Sequence, residues 1–169
     1  VKPAGETWTV GVFVQSNFGR RPECVILGVP VGRHVTHGLL RGKPAGSIID
    51  VVATDAPIGG HQAKKLARRV ALGMARTGAL GHDSSGDIFL AFSTANADGL
   101  ARPRGTVRQL DMLSNADLDP LYEGVVEATE EAIVDSMVAN RTMVGRDGAT
   151  SIALPHDRLL DVMRQYRRL

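Results

Sequence analysis

The stretch from Gly46 to Thr54, Gly-Ser-Ile-Ile-Asp-Val-Val-Ala-Thr, limits what this chain can fold into more than any other. Ile48, Ile49, Val51, Val52 and Ala53 form an apolar, largely β-branched run broken only by Asp50. Such a run, bounded by turn residues, reads as a buried strand. Ahead of it lies a Pro-, Gly- and Arg/Lys-containing segment, Val29 to Gly46. Ser47 stands at the junction. A serine at the first position of a buried strand, preceded by glycine, suits a chain that cuts itself. Its hydroxyl can attack the Gly46 carbonyl, and glycine leaves the approach open. Cleavage makes Ser47 a new N-terminus, with nucleophile and amine base on one residue. Taken alone, a Gly-Ser pair also reads as ordinary turn punctuation ahead of a strand.

The chain has 169 residues, enough for one domain with a sizeable core. Its net charge is +2, and its basic residues are scattered apart from Arg164, Arg167 and Arg168, so no nucleic-acid partner is expected. Cys24 is the one cysteine, which excludes an internal disulfide. No apolar run is long enough for a membrane span and no secretory signal is visible, so a cytoplasmic location is expected. The chain opens Val1-Lys2-Pro3 without methionine, and the native N-terminus is expected further upstream.

Thr7 to Val14 reads as a strand, Gln15 to Arg20 as a turn, and Cys24 to Val29 as a second strand forming a hairpin with the first. Pro30 to Gly46 reads as a long exposed loop. After the Ser47 strand, Ala63, Leu66, Ala67, Val70, Ala71 and Met74 recur at helical spacing, and Gly78 closes that helix. Asp87 to Thr94 is apolar on both faces, which predicts a central strand. Thr106 to Leu113 alternates and predicts a further strand. Asp119-Pro120 opens a helix to about Asn140, with Leu121, Val125, Ala128, Ala132 and Met137 inward, and Pro155 and Asp157 open a last one. These elements predict a layered α/β sandwich with a mixed sheet.

Three polar turn clusters end or begin apolar strands: around Asn17, before Ser47, and at Ser84-Ser85-Gly86-Asp87. A nucleophile needs an oxyanion donor and orienting groups. Asn17 offers a side-chain N–H, Ser85 a hydroxyl for the nucleophile, and Asp87 a carboxylate for an ammonium or hydroxyl. Each also has a local reading, as turn or strand-start residue. His34-Val35-Thr36-His37 has metal-like spacing, but no further ligands are arranged to complete a site. His82, Asp83 and Ser84 are too close in sequence to form a hydrolytic triad.

Several motifs occur together and in order. They are Asn17-Phe18-Gly19, Gly46-Ser47 with Ala53-Thr54-Asp55-Ala56-Pro57, Ala75-Arg76-Thr77-Gly78, Ser85-Gly86-Asp87 leading to Ala91-Phe92-Ser93-Thr94, and Gly145-Arg146-Asp147-Gly148. In this the chain resembles the DmpA family of L-aminopeptidase/D-esterases and β-peptidyl aminopeptidases, over nearly its whole length. The resemblance implies an αββα sandwich of the DmpA/ornithine acetyltransferase type, like N-terminal-nucleophile hydrolases but with different connectivity. It implies a precursor cut between Gly46 and Ser47, with residues 1–46 ending an α-subunit and 47–169 forming the β-subunit of one domain. It maps the nucleophile to Ser47, the oxyanion asparagine to Asn17, and the second serine and acid to Ser85 and Asp87. It implies a longer upstream segment that contributes a tyrosine, and a homo-oligomer of αβ units.

The expectation is therefore an autoproteolytic N-terminal-serine aminopeptidase, acting on small peptides, amides or esters through an acyl-enzyme, without metal or organic cofactor. Two rivals stand beside it. An acyltransferase of the ornithine acetyltransferase type would carry threonine at the cleavage point, where this chain has Ser47. A non-catalytic domain keeping the fold would leave the Gly46–Ser47 bond intact.

Overall fold

The computed structural model describes every residue except 3–4, 37, 39–45, 102–106 and 108. Strand β1 runs Val10–Asn17, short helix α1 Val31–His34, strand β2 Ser47–Thr54 and helix α2 Gly60–Arg76. Strand β3 (Ile88–Ser93), short helix α3 (Ala97–Ala101) and helix α4 (Asp119–Val138) follow. A small hairpin of β4 (Met143–Val144) and β5 (Thr150–Ser151) precedes helix α5, His156–Gln165. The main sheet has the order β1-β2-β3. β1 and β2 are antiparallel, from Val10 opposite Thr54 to Asn17 opposite Ser47. β2 and β3 are parallel, from Ile49 beside Ile88 to Thr54 beside Ser93. Parallel neighbours need a crossover, and α2 supplies it. The sheet is mixed, as expected.

Helices α2 and α4 cover one face of the sheet. Ile48 and Val52 of β2, Leu66 and Val70 of α2, and Leu121 and Val125 of α4 are fully buried between the layers. Each such side chain contributes about 1.5–3 kcal/mol of burial. A smaller core joins Ile26, Val29, Val31 and Val35 to Val162 and Met163 of α5. On the other face of the sheet, Phe13, Ile49, Leu90 and Phe92 are exposed.

Several expectations change. The first strand is Val10–Asn17 rather than Thr7–Val14, so Gln15 and Ser16 are ladder residues and the turn begins at Phe18. Its partner is β2, not Cys24–Val29. That segment follows a single helical turn at Arg21–Glu23 and reverses at Leu27-Gly28, where Ile26 and Val29 pair through both backbone bonds at 2.9 and 3.0 Å. Within Pro30–Gly46 the described part is not simply an exposed loop. It forms α1, with Val31 and Val35 buried; residues 37 and 39–45 lie outside the described set. β3 is an edge strand, not a central one, among the described residues. Its second apolar face, Ile88, Leu90 and Phe92, lies on the open side of the sheet, so two apolar faces need not mean two strand neighbours. Residues 107 and 109–113 form no strand. Their backbone is taken up elsewhere: Asn96 exchanges two 3.0 Å bonds with Asp111, and Leu113 N–H donates to Pro57 O. At the start of α4, Leu118 is the cap and Asp119-Pro120 forms the first turn.

Candidate active site

The site follows from strand register. β1 is antiparallel to β2, so its C-terminal residue Asn17 lies opposite the first residue of β2, Ser47. β3 is parallel to β2 and starts at Ile88 beside Ile49, which brings the preceding Asp87 and Gly86 alongside Ile48 and Ser47. Two strand starts and one strand end thus meet at one sheet edge. All four predicted site residues, Asn17, Ser47, Ser85 and Asp87, are brought together there.

Hydrogen bonds fix the details. Ser47 Oγ accepts the Gly86 N–H at 2.9 Å. Asp87 Oδ1 accepts the Ile48 N–H at 3.1 Å and the Ser85 hydroxyl at 2.6 Å. Ser85 Oγ also lies 3.3 Å from the carbonyl oxygen of Gly46, on the peptide bond that precedes Ser47. A hydroxyl has one proton. The short bond to a carboxylate is the stronger of these two contacts, and rotation of the hydroxyl turns the same proton toward Gly46 O. The Asn17 side chain makes no hydrogen bond among the described residues and lines a cleft of about 90 Å³ with Gly46, His82, Ser84, Ser85 and Asp87. It is free to serve an incoming oxygen.

Gly46 is required by close approach. A Cβ there would stand 2.1 Å from the carbonyl oxygen of Asn17. Any side chain would therefore drive the β1 end away from the bond before Ser47.

In the sequence Asp50 stands out only as the break in an apolar run. The structure gives it weight. Asp50 is fully buried on the helix-covered face of β2, and neither carboxyl oxygen has a hydrogen-bond partner among the described residues. Burial, with the Asp87 charge adding to it, pushes its carboxyl from 3.8 up to about 6. The main-chain donors of Ile48 and Gly86 were also missed, because only the ladder register reveals them.

Other motifs lie elsewhere. At the far end of the sheet, Thr54 Oγ1 donates to Thr9 O at 2.6 Å, Thr9 N–H donates to Asp55 at 2.7 Å, and Ser93 Oγ donates to Ala56 O at 2.6 Å. The Ala53–Pro57 and Ala91–Thr94 motifs are thus ties that hold strand ends. Thr77 caps α2 through Met74 O at 2.8 Å. Gly145–Gly148 turns the β4–β5 hairpin. His34 meets Tyr166 Oη at 3.0 Å, and His37 lies outside the described residues.

Comparison with known proteins bears on the family and the fold. A family model described as peptidase family S58 matches residues 1–151. The β-peptidyl aminopeptidase BapA of Sphingosinicella microcystinivorans is 43% identical, across 100% of this chain and 46% of its own length. The solved structure of the L-aminopeptidase D-Ala-esterase/amidase from Ochrobactrum anthropi, described as a prototype for the serine aminopeptidases and a new variant among the Ntn hydrolase fold, superposes with a TM-score of 0.89 at 41% identity. That match covers 100% of this chain and 47% of the other. A β-aminopeptidase from Burkholderia sp. superposes with a TM-score of 0.80 at 40% identity, covering 94% of this chain and 44% of that one. The chain spans about half the length of the relatives it matches. Its mixed α/β architecture is that of the Ntn hydrolase variant. The chain belongs to peptidase family S58.

Proposed function

We propose that this chain carries the catalytic centre of a self-cleaving aminopeptidase whose nucleophile is Ser47. The observation that carries the reading is the environment of one peptide bond. The Gly46 carbonyl oxygen lies 3.3 Å from the Ser85 hydroxyl, while the next hydroxyl along, Ser47 Oγ, is held by the Gly86 N–H at 2.9 Å. In self-cleavage Ser47 Oγ attacks the Gly46 carbonyl carbon. The C–N bond breaks, an ester joins Gly46 to Ser47 Oγ, and the proton lost by the hydroxyl ends on the released α-amine. Water then hydrolyses the ester. Residues 1–46 end one subunit and 47–169 form the other.

In turnover the same Oγ attacks the acyl carbon of an N-terminal residue of a small peptide, amide or ester. The neutral α-amine of Ser47 takes the hydroxyl proton; a free α-amino group has a reference pKa of roughly 7.7–8.0, which leaves a useful neutral fraction near pH 7. Asn17 donates to the oxyanion, and the Ser85–Asp87 pair orients the nucleophile. Water resolves the acyl-enzyme. The relatives are named aminopeptidases, which favours hydrolysis over acyl transfer to another amine.

The open sheet face with Phe13, Ile49, Leu90 and Phe92 receives, in this reading, a second layer from an upstream segment, and the αβ units associate as a homo-oligomer. Support comes from the apolar character of that face and from the greater length of the relatives. The test compares an amino-acid p-nitroanilide with its N-acetylated form, using the complete protein and its Ser47→Ala variant. Release from the free-amine substrate by the parent alone supports the reading. Equal release by Ser47→Ala contradicts it.

A further inference from the structure

The turn bearing Ser85 and the turn following Asn17 come from distant parts of the chain, and they are tied together beside the cleft. His82 Nε2 meets both carboxyl oxygens of Glu23, at 2.9 and 3.1 Å. Both side chains are about three-quarters buried, at 29% and 25% exposure. A carboxylate only accepts, so the proton in this contact belongs to His82 Nε2. Glu23 ends the single helical turn that follows Asn17-Phe18-Gly19. His82 opens the turn that carries Ser85, whose backbone N–H donates to His82 O at 2.8 Å.

The surrounding backbone is already in close register. Val25 N–H donates to Thr77 O at 2.9 Å. Gly78 packs so closely on Glu23 that a Cβ would stand 1.8 Å from the Glu23 carbonyl oxygen. Ala79 N–H donates to Met74 O at 3.3 Å and Ala79 packs against the main core, so the segment is anchored as far as Ala79. Further along, the contact of His82 with Glu23 joins the loop between Gly78 and β3 to the β1-end segment. Beyond it, Ser85 and Gly86 must place a hydroxyl on the Gly46 carbonyl and an N–H on Ser47 Oγ.

We propose that His82 is a positioning residue, which through Glu23 sets the Ser85–Asp87 turn at the correct distance from Ser47 and Asn17. It touches no reacting atom. It acts by fixing where Ser85 Oγ and Gly86 N–H stand, and a catalytic donor displaced by an ångström loses much of its effect. The kinetic part of this proposal rests on Ser47 being the nucleophile; the geometric part does not.

The experiment uses the complete protein with His82→Ala, Glu23→Ala, the double variant and His82→Gln, whose amide N–H can replace Nε2–H. Two quantities are read on folded protein: backbone hydrogen exchange at Ser85 and Gly86, and kcat with KM on the p-nitroanilide. His82→Ala and Glu23→Ala each speed exchange at both amides about 10-fold and lower kcat about 10-fold with little change in KM. A factor of this size is the weight of one hydrogen bond to a charged group. The double variant loses no more than either single one, because both remove the same bond. His82→Gln recovers most of both quantities. Unchanged exchange in His82→Ala overturns the proposal whether or not the protein is active. Faster exchange with unchanged kcat overturns the positioning role, as do losses that multiply in the double variant. If the parent protein hydrolyses nothing, the aminopeptidase reading fails, and the exchange data alone decide whether the tie holds the turn.

Discussion

Asn17 and Ser47 are directly opposite each other in the antiparallel ladder of β1 and β2, so the final pair of that ladder joins the proposed oxyanion donor to the proposed nucleophile. A one-residue slip would turn every side chain of β1 to the other face. It would bury Phe13 and Gln15 under the helices and carry Asn17 away from Ser47. The alternation of Val10, Val12 and Val14 toward the core therefore also sets the geometry of the site.

Gly46 tests this closeness. Gly46→Ala places a Cβ 2.1 Å from the Asn17 carbonyl oxygen. The backbone must shift, at a typical overpacking cost of about 1–3 kcal/mol. The expected outcome is precursor that stays largely uncut although Ser47 is present, with a lowered thermal midpoint. Time-resolved denaturing electrophoresis and thermal unfolding check it. Normal processing would mean that the β1 end plays no part.

Ser85→Ala removes the hydroxyl that contacts both Asp87 and Gly46 O. Self-cleavage and turnover should each slow by about 100-fold, the usual loss for one oriented donor. The pH midpoint of hydrolysis should stay nearly fixed, because no charge is removed. A processing time course and a pH–rate profile provide the check.

Asp87→Asn should behave differently. A carboxylate near the Ser47 ammonium favours its charged form, so the neutral substitution should move the pH midpoint of hydrolysis downward. It should also weaken preference for substrates with a free amine over their N-acetylated forms. If both quantities stay put, Asp87 serves only to hold the Ile48 N–H and Ser85.

Asp50 predicts a pH-dependent stability. Its folded pKa, about 6, lies above the ordinary 3.8, so the native state holds the proton more tightly than the unfolded chain. The stability linked to that proton is complete below about pH 4 and is lost as pH rises through 6. Two pK units correspond to about 3 kcal/mol. Asp50→Asn removes the titration, so the variant should gain up to about 3 kcal/mol on the parent between pH 4 and pH 8. Urea unfolding at the two pH values measures this. An equal difference at both would show that Asp50 is not desolvated in the native state.

The parts of the fold legible in the sequence were those with unambiguous local pattern. The β-branched run after Ser47 and the 3.6-residue period of Leu66, Val70 and Met74 read directly as β2 and α2. The meeting of Asn17, Ser47, Ser85 and Asp87 was legible because polar turns at strand ends share a sheet edge when the strands pair. What failed was pairing at a distance. Nothing near Cys24 to Val29 shows that β1 would choose β2 over its sequence neighbour, and Pro22 and Gly28 were the available signals against a hairpin. Residues 109–113 alternate like a strand, yet Asn96 and Pro57 claim their backbone. The charge at Asp50 was visible as an interruption, but its cost depends on the depth of burial, which only the packing of α2 and α4 against the sheet determines.

The central claim is tested most directly by the intact mass of the freshly purified complete protein under denaturing conditions, combined with N-terminal sequencing. The account predicts two chains that add up to the precursor, the second beginning Ser-Ile-Ile-Asp, and a single uncut chain for Ser47→Ala. One uncut chain in a preparation that hydrolyses amino-acid p-nitroanilides would contradict it.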